Sequence, residues 1–177
     1  GVPIIRTLLD GVQANEISSM MGIINGTTNY ILTKVTEEGR SYEDCLKEAQ
    51  RLGYAEADPT ADVEGYDAAY KLSILSSLAF HTKVPFTKIY REGISNVTKE
   101  DIADGKELGY VLKLLAIGKQ SEAGIEVRVH PTFVRKGHPL ASVNDSFNAV
   151  FLTGDSVGDI MLYGRGAGAL PTGSAIV

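Results

Sequence analysis

The run from Gly53 to Lys71 gathers more chemistry-bearing side chains than any other part of the chain. Glu56, Asp58, Asp62, Glu64 and Asp67 lie within it, Glu48 just precedes it, and Lys71 closes it as its one cation. An acidic loop folded over a helix bearing Asp and Lys could hold a small zwitterion and deliver a proton to it. Asp58-Pro59 must be extended or turned, because proline excludes the helical region for the residue before it. A helical apolar pattern resumes around Val63 and runs through Leu72, Ile74, Leu75 and Leu78. Asp67 and Lys71 are four apart on that pattern, so they share one face about a turn apart. Glu56 lies in the loop that leads back towards this face. Spacing alone favours a capped helix with a surface ion pair, because such pairs are common helix stabilisers.

The flanking elements must position these residues. Pro3 suits the first turn of a helix, and Ile4, Ile5, Leu8, Leu9 and Val12 give it an apolar stripe. Ile17 to Ile24 reads as a strand. Asn25-Gly26-Thr27-Thr28 breaks it and supplies caps for a helix from about Thr28 to Glu38, which Gly39 ends. Ser41 with Asp44 resembles a capping box, opening a helix that runs to Leu52 and stops at Gly53. Val84-Pro85-Phe86 marks a loop, Ile89 to Val97 contains at most a short strand, and Thr98 caps a helix over Lys99 to Leu108. Val111 to Lys119, Ile125 to Arg135, Ser146 to Thr153 and Asp159 to Tyr163 then read as strands, the first two joined through Ser121-Glu122-Ala123-Gly124. Helices dominate the first half and strands the second. That order predicts an α+β domain with helices packed on one face of a largely antiparallel or mixed β-sheet.

Composition narrows the function classes. The 177 residues suffice for one domain with a buried core, and 44% hydrophobic with 22% charged residues is ordinary for a globular chain. A net charge of -5 provides no basic footprint for nucleic acid or an anionic membrane. No apolar run reaches spanning length. The single cysteine, Cys45, cannot form an internal disulfide, which suits a reducing cytoplasm. The chain opens at Gly1-Val2-Pro3 without a methionine and stops inside an apolar pattern at Ala175-Ile176-Val177, as a piece of a longer protein would.

Other motifs are weaker. Gly164-Arg165-Gly166-Ala167-Gly168-Ala169 formally fits the dinucleotide pattern G-x-G-x-x-G/A after a strand, but a βαβ unit and its acidic ribose partner do not follow. The same run could instead bring backbone close to a ligand, and Pro171 could begin a helix. Asn25-Gly26-Thr27-Thr28, between a strand and a helix, could present N–H groups and hydroxyls to a carboxylate, or simply cap. His81, His130 and His138 lack ligand spacing, and Cys45 lies mid-helix with no evident base, so neither a zinc site nor a thiol nucleophile is expected.

Together, Gly22-Ile23-Ile24-Asn25-Gly26-Thr27-Thr28-Asn29-Tyr30-Ile31-Leu32 and the stretch from Ala49 to Lys71, with Leu52-Gly53-Tyr54-Ala55-Glu56-Ala57-Asp58-Pro59, resemble homoserine dehydrogenase. The resemblance reaches from Gly1-Val2-Pro3 to Pro171-Thr172-Gly173, essentially the whole chain. It implies that residues 1–177 form the substrate-binding and dimerisation domain, and that a Rossmann nucleotide-binding half precedes residue 1. It implies reversible NAD(P)H-dependent reduction of L-aspartate 4-semialdehyde to L-homoserine, on the route to threonine, methionine and isoleucine, by a cytoplasmic homodimer. The choice between NAD and NADP stays open, as does a non-catalytic amino-acid-binding or assembly module of the same fold.

Position by position, the resemblance implies that Lys71 is the proton donor to the aldehyde oxygen. Glu56 and Asp67 hold the substrate, with Gly26, Thr27, Tyr54 and Asp62 lining its site. Gly53 and Gly168 lie near the nicotinamide nucleotide, and the Val2 carbonyl is one ligand of a monovalent cation such as Na+. Tyr70 departs from the pattern, standing where arginine is expected.

Overall fold

A computed structural model describes all of residues 1–177. Helix α1 (Ile4–Arg6) continues into a π-helical turn over Thr7–Gly11, and Leu8 and Val12 of this stripe are buried. Strand β1 (Ile17–Ile23) follows, then α2 (Gly26–Glu38), α3 (Tyr42–Arg51), α4 (Thr60–Val63) and α5 (Tyr66–Ala79). The second half holds β2 (Tyr90–Arg91), α6 (Lys99–Glu107), β3 (Tyr110–Ser121), β4 (Gly124–Arg135), β5 (Phe147–Gly154), β6 (Gly158–Arg165) and α7 (Ala169–Ile176). No helix is long and apolar enough to cross a membrane.

The six strands form one sheet in the order β2-β4-β3-β1-β5-β6. All pairings are antiparallel except that of β2 with β4, so the sheet is mixed. Strand β1 is central: Met20 lies opposite Gly118 of β3 on one side and Leu152 of β5 on the other. Alternation then sorts the strand side chains between two faces. Met20, Leu112, Leu114, Val150 and Leu152 join one 27-residue core with Ile31, Leu32 and Val35 of α2 and Leu72 and Leu75 of α5. Ile23, Leu115, Ile117 and Ala149 point the other way, into a smaller cluster capped only by Leu140, Ala141 and Val143. Helices on one face of a largely antiparallel sheet are what the helix-first, strand-later order predicts.

Local chemistry explains most boundaries. The Ser41 hydroxyl accepts from Asp44 N–H at 3.0 Å, and Thr98 with Asp101 makes a reciprocal capping box; caps of this kind contribute about 1 kcal/mol each. Gly39 stops α2 in the left-handed region at φ 65°. Two boundaries differ from the sequence expectation, and the short strand expected between Ile89 and Val97 is present. Helix α2 begins at Gly26 rather than Thr28, because the cap is Asn25, whose side chain accepts from Thr28 N–H. The pattern resuming at Val63 is two helices, not one, since Glu64-Gly65 breaks it with Gly65 at φ 76°. Between Ile89 and Val97 only Tyr90–Arg91 pairs as a strand, parallel to β4. Tyr70, at the departure from the expected arginine, stacks on Phe86 with ring centroids 4.3 Å apart.

Candidate active site

Lys71 projects from the second turn of α5, with Asp67 one turn before it. Its Nζ donates to Asp67 Oδ2 at 2.6 Å and to the Ile24 carbonyl oxygen at 3.1 Å. The pair is only half withdrawn from water, with the lysine side chain 49% and the aspartate 32% exposed. An isolated pair this accessible adds about 0–1 kcal/mol to stability. The contact with Ile24 sets it apart from an ordinary helix-surface pair, because it aims the ammonium at the junction of β1 and α2.

Asn25 occupies that junction. Its Oδ1 accepts from Thr28 N–H and from Thr28 Oγ1, both at 2.9 Å. Its Nδ2 donates to Asp62 Oδ1 at 2.7 Å and to Asp67 Oδ2 at 3.0 Å. Thr27 Oγ1, in the first turn of the helix, donates to the Tyr54 carbonyl at 2.5 Å, which draws the loop after α3 onto the same junction. The Tyr54 ring packs against Tyr30 with centroids 5.1 Å apart. Gln50 Nε2 holds the next part of the loop through the carbonyls of Glu56 and Ala57. Asp58 accepts from Thr60 N–H and Oγ1, and those bonds hold its carboxyl below the usual carboxylate range. Gly26 packs against the segment entering β5: a Cβ there would meet the Ser146 carbonyl oxygen at 2.9 Å.

Of the expected site residues, Asp62, Asp67 and Lys71 are thus linked by hydrogen bonds through Asn25, and Thr27 and Tyr54 adjoin them through one more. The Glu56 carboxylate makes no hydrogen bond and is free in the same loop. Gly53 closes α3 at φ 77° with open space around it, and Gly168 precedes α7 at φ 115°; neither touches the carboxylate cluster. Asn25 was singled out only within Asn25-Gly26-Thr27-Thr28, as a cap or as part of a run presenting N–H groups and hydroxyls to a carboxylate; its bridging of Asp62 and Asp67 was not foreseen. A buried amide at a strand–helix junction, in a chain whose nearest acidic run needs donors, is the signal that could have marked it.

An apolar cleft of about 220 Å³ opens beside Lys71, between α1, Ile24, Ile74 and β5. Asn148 lines it, and its side-chain nitrogen is buried without a hydrogen-bond partner. An orphaned amide donor in an apolar slot next to an ammonium fits a flat, partly apolar group carrying an amide acceptor, as a nicotinamide does. Val2 also lines this cleft, and its carbonyl accepts from Ile4 N–H at 2.8 Å. No group of three or more His, Cys, Asp or Glu side chains is placed to hold a metal ion.

A second buried polar cluster lies across α2. Lys113 is 1% exposed, and its ammonium donates to the Val143 carbonyl at 2.6 Å, Asn144 Oδ1 at 3.1 Å and Asn29 Oδ1 at 3.3 Å. Burial without a contacting carboxylate pushes its pKa down to about 8. The Asn29 amide donates to the carbonyls of Val143, Asp145 and Phe147. This cluster staples residues 143–147 to α2 and so backs the helix turn that bears Gly26 and Thr27. Cys45 is fully buried, and desolvation pushes its thiol up, away from nucleophilic use.

A mixed sheet backed by helices, with an ammonium and carboxylates gathered at a strand–helix junction beside an apolar cleft, defines an α+β domain. The homoserine dehydrogenase family matches residues 3–177, and the chain belongs to that family. It is 51% identical over 177 residues to the homoserine dehydrogenase of Bacillus subtilis, aligning over 100% of its own length and 41% of the relative's. The solved homoserine dehydrogenase of Thiobacillus denitrificans superposes with TM-score 0.96 at 52% identity, covering 99% of this chain and 41% of that one. A hyperthermophilic archaeal homoserine dehydrogenase in complex with NADPH superposes with TM-score 0.83 at 28% identity, over 99% of this chain and 50% of that one. The chain therefore spans about 41% of the length of the Bacillus relative.

Proposed function

We propose that this chain is the substrate-binding and dimerisation domain of a homoserine dehydrogenase, preceded in its parent by a Rossmann nucleotide-binding half. The parent reversibly reduces L-aspartate 4-semialdehyde to L-homoserine in threonine, methionine and isoleucine biosynthesis. One observation carries this reading: Lys71 Nζ is tied to both Asp67 and the Ile24 carbonyl at the mouth of an apolar cleft. Family membership favours the enzyme over a non-catalytic amino-acid-binding module.

In the mechanism, the ammonium of the substrate is held by Glu56, Asp62 and Asp67, while Gly26, Thr27 and Tyr54 shape the wall beside it. Lys71 faces the aldehyde oxygen. NAD(P)H, when bound, supplies the hydride; the NADPH seen with the archaeal relative supports this cofactor class. Gly53, Gly168 and the orphaned Asn148 amide are the residues of this chain that would hold its nicotinamide end. Negative charge grows on the aldehyde oxygen as the carbon is reduced, and the Lys71 ammonium stabilises that charge and then donates a proton. In the oxidative direction the neutral amine takes the hydroxyl proton back. The Val2 carbonyl alone does not make a cation site, and no step depends on one.

The parent is a homodimer in the cytoplasm. The sheet face opposite the helices supports the first point: Met21, Phe147, Phe151 and Met161 are only partly buried there. A single buried cysteine suits the second.

The reading is tested in the full-length parent with Lys71→Met and Glu56→Gln. The lysine change should chiefly lower kcat, and the glutamate change should chiefly raise KM for homoserine. Wild-type kinetics in both variants would exclude the assignment.

A further inference from the structure

We propose that Asn25 is a positioning residue whose side-chain amide ties Asp62 to Asp67 and fixes how both carboxylates, and through Asp67 the Lys71 ammonium, face the substrate. The inference rests on the functional reading above and deepens it.

The orientation of the amide follows from its partners. A backbone N–H can only donate, so the atom facing Thr28 N–H must be the oxygen, and the nitrogen must face the carboxylates. Both Nδ2 hydrogens are used, at 2.7 Å to Asp62 and 3.0 Å to Asp67, and Oδ1 accepts twice from Thr28. The side chain is 5% exposed, so no water is needed to complete it. Its two aspartates come from different helices, α4 and α5, separated by the left-handed Gly65. Nothing else bonds the two carboxylates together. Two like charges brought onto one site repel, and a donor between them offsets that repulsion. The amide engages one oxygen of each carboxylate, and the second oxygen of each makes no hydrogen bond within the chain. Those two oxygens are the acceptors a substrate ammonium needs. Asp67 Oδ2 is shared between Asn25 and Lys71, so any rotation of this carboxylate also moves the proton donor.

A helix cap alone would explain the bonds to Thr28, and substitutions can separate the two roles. Asn25→Ser keeps a good N-cap while deleting the bridge. Asn25→Asp keeps the cap and the size, but replaces two donor hydrogens by acceptor lone pairs aimed at two carboxylates. The experiment measures kcat and KM for homoserine oxidation by the full-length parent between pH 6 and 9, with thermal midpoints alongside and Lys71→Met as the control. Asn25→Asp is expected to lower kcat/KM by about 10²-fold at pH 8 and to recover part of it at pH 6. A carboxyl crowded by two carboxylates takes up a proton readily and can then donate as the amide did. Asn25→Ser should lose less, without that acid recovery. Should Asn25→Asp not fold, the double variant Asn25→Asp/Asp62→Asn returns one amide to the cluster and should restore folding.

Equal losses in Asn25→Ser and Asn25→Asp without pH dependence, or a double variant that folds no better than an unfolded Asn25→Asp, would reduce Asn25 to a helix cap and overturn the proposal. Wild-type kinetics in Asn25→Asp beside an inactive Lys71→Met would overturn it while leaving the functional reading intact. A parent that oxidises no homoserine would remove that reading and this one with it.

Discussion

The ammonium of Lys71 on α5 donates to the carbonyl oxygen of Ile24 at 3.1 Å, joining the central helix to the end of β1 across 47 residues of sequence. Through this bond the lysine stands over the strand–helix junction instead of lying along its own helix, and Asp67 closes the triangle at 2.6 Å.

Lys71→Met in the full-length parent should therefore lower kcat by about 10²- to 10⁴-fold, the range for losing a positioned general acid, with a much smaller change in KM. Its stability should move by no more than about 1 kcal/mol, because the pair is half exposed. Steady-state kinetics with a urea melt on the same preparation checks both parts.

The isolated 177-residue chain should oxidise no homoserine in the presence of NAD or NADP, since the functional reading assigns hydride transfer to a separate nucleotide-binding half. Absorbance at the reduced nicotinamide band, with the parent as positive control, decides the matter; turnover by the isolated chain would contradict the assignment.

Gly26→Ala should destabilise the protein by about 1–3 kcal/mol, because the new methyl group would meet the Ser146 carbonyl 2.9 Å away. The strain falls on the first residue of α2, next to Asn25 and Thr27, so KM for homoserine should rise with it. Denaturant midpoints and KM measured together test whether that junction is as close-packed as described.

Lys113 sets a pH dependence of stability with a definite sign. Its pKa falls from 10.5 in the unfolded chain to about 8 in the fold, so between those values the unfolded chain binds more protons. Below pH 8 both states carry the proton and the folded state bears the full desolvation cost, about 3 kcal/mol. From pH 8 towards 10.5 the folded state sheds the proton first, and that cost disappears. The stability of wild type relative to Lys113→Met should accordingly rise between pH 7.5 and pH 10. Urea unfolding of both proteins at the two pH values measures it; a flat or falling difference would contradict the burial argument.

Met161→Lys should convert a dimeric parent to monomer, since Met161 lies opposite Phe151 on the sheet face that the helices leave uncovered. Sedimentation equilibrium of the two proteins provides the readout.

Much of the architecture was legible in the residues themselves. Ser41, Thr98 and Gly39 mark helix ends by chemistry that acts within four residues, and β3 declares itself through a mostly apolar run joined at Glu122-Ala123 to the alternating start of β4. The break at Gly65 was less visible, because Val63 and Ala68 fall on one apolar pattern on either side of it, and only the left-handed backbone at Gly65 separates α4 from α5. In the site, the Asp67–Lys71 pair follows from a spacing of four, whereas its purpose does not.

By itself, then, the sequence determined the order of elements, the capped ends, and the acidic run closed by a lysine, because capping and periodicity depend on neighbours along the chain. Only the tertiary structure decided that Asn25 meets Asp62 and Asp67, 37 and 42 residues away, and that Lys71 reaches Ile24. Those contacts depend on how α4 and α5 pack against the end of β1, and helix-to-sheet packing is set by the whole core at once. A local spacing rule can place an aspartate and a lysine on one helix face, but the partner that orients them comes from another element of the fold.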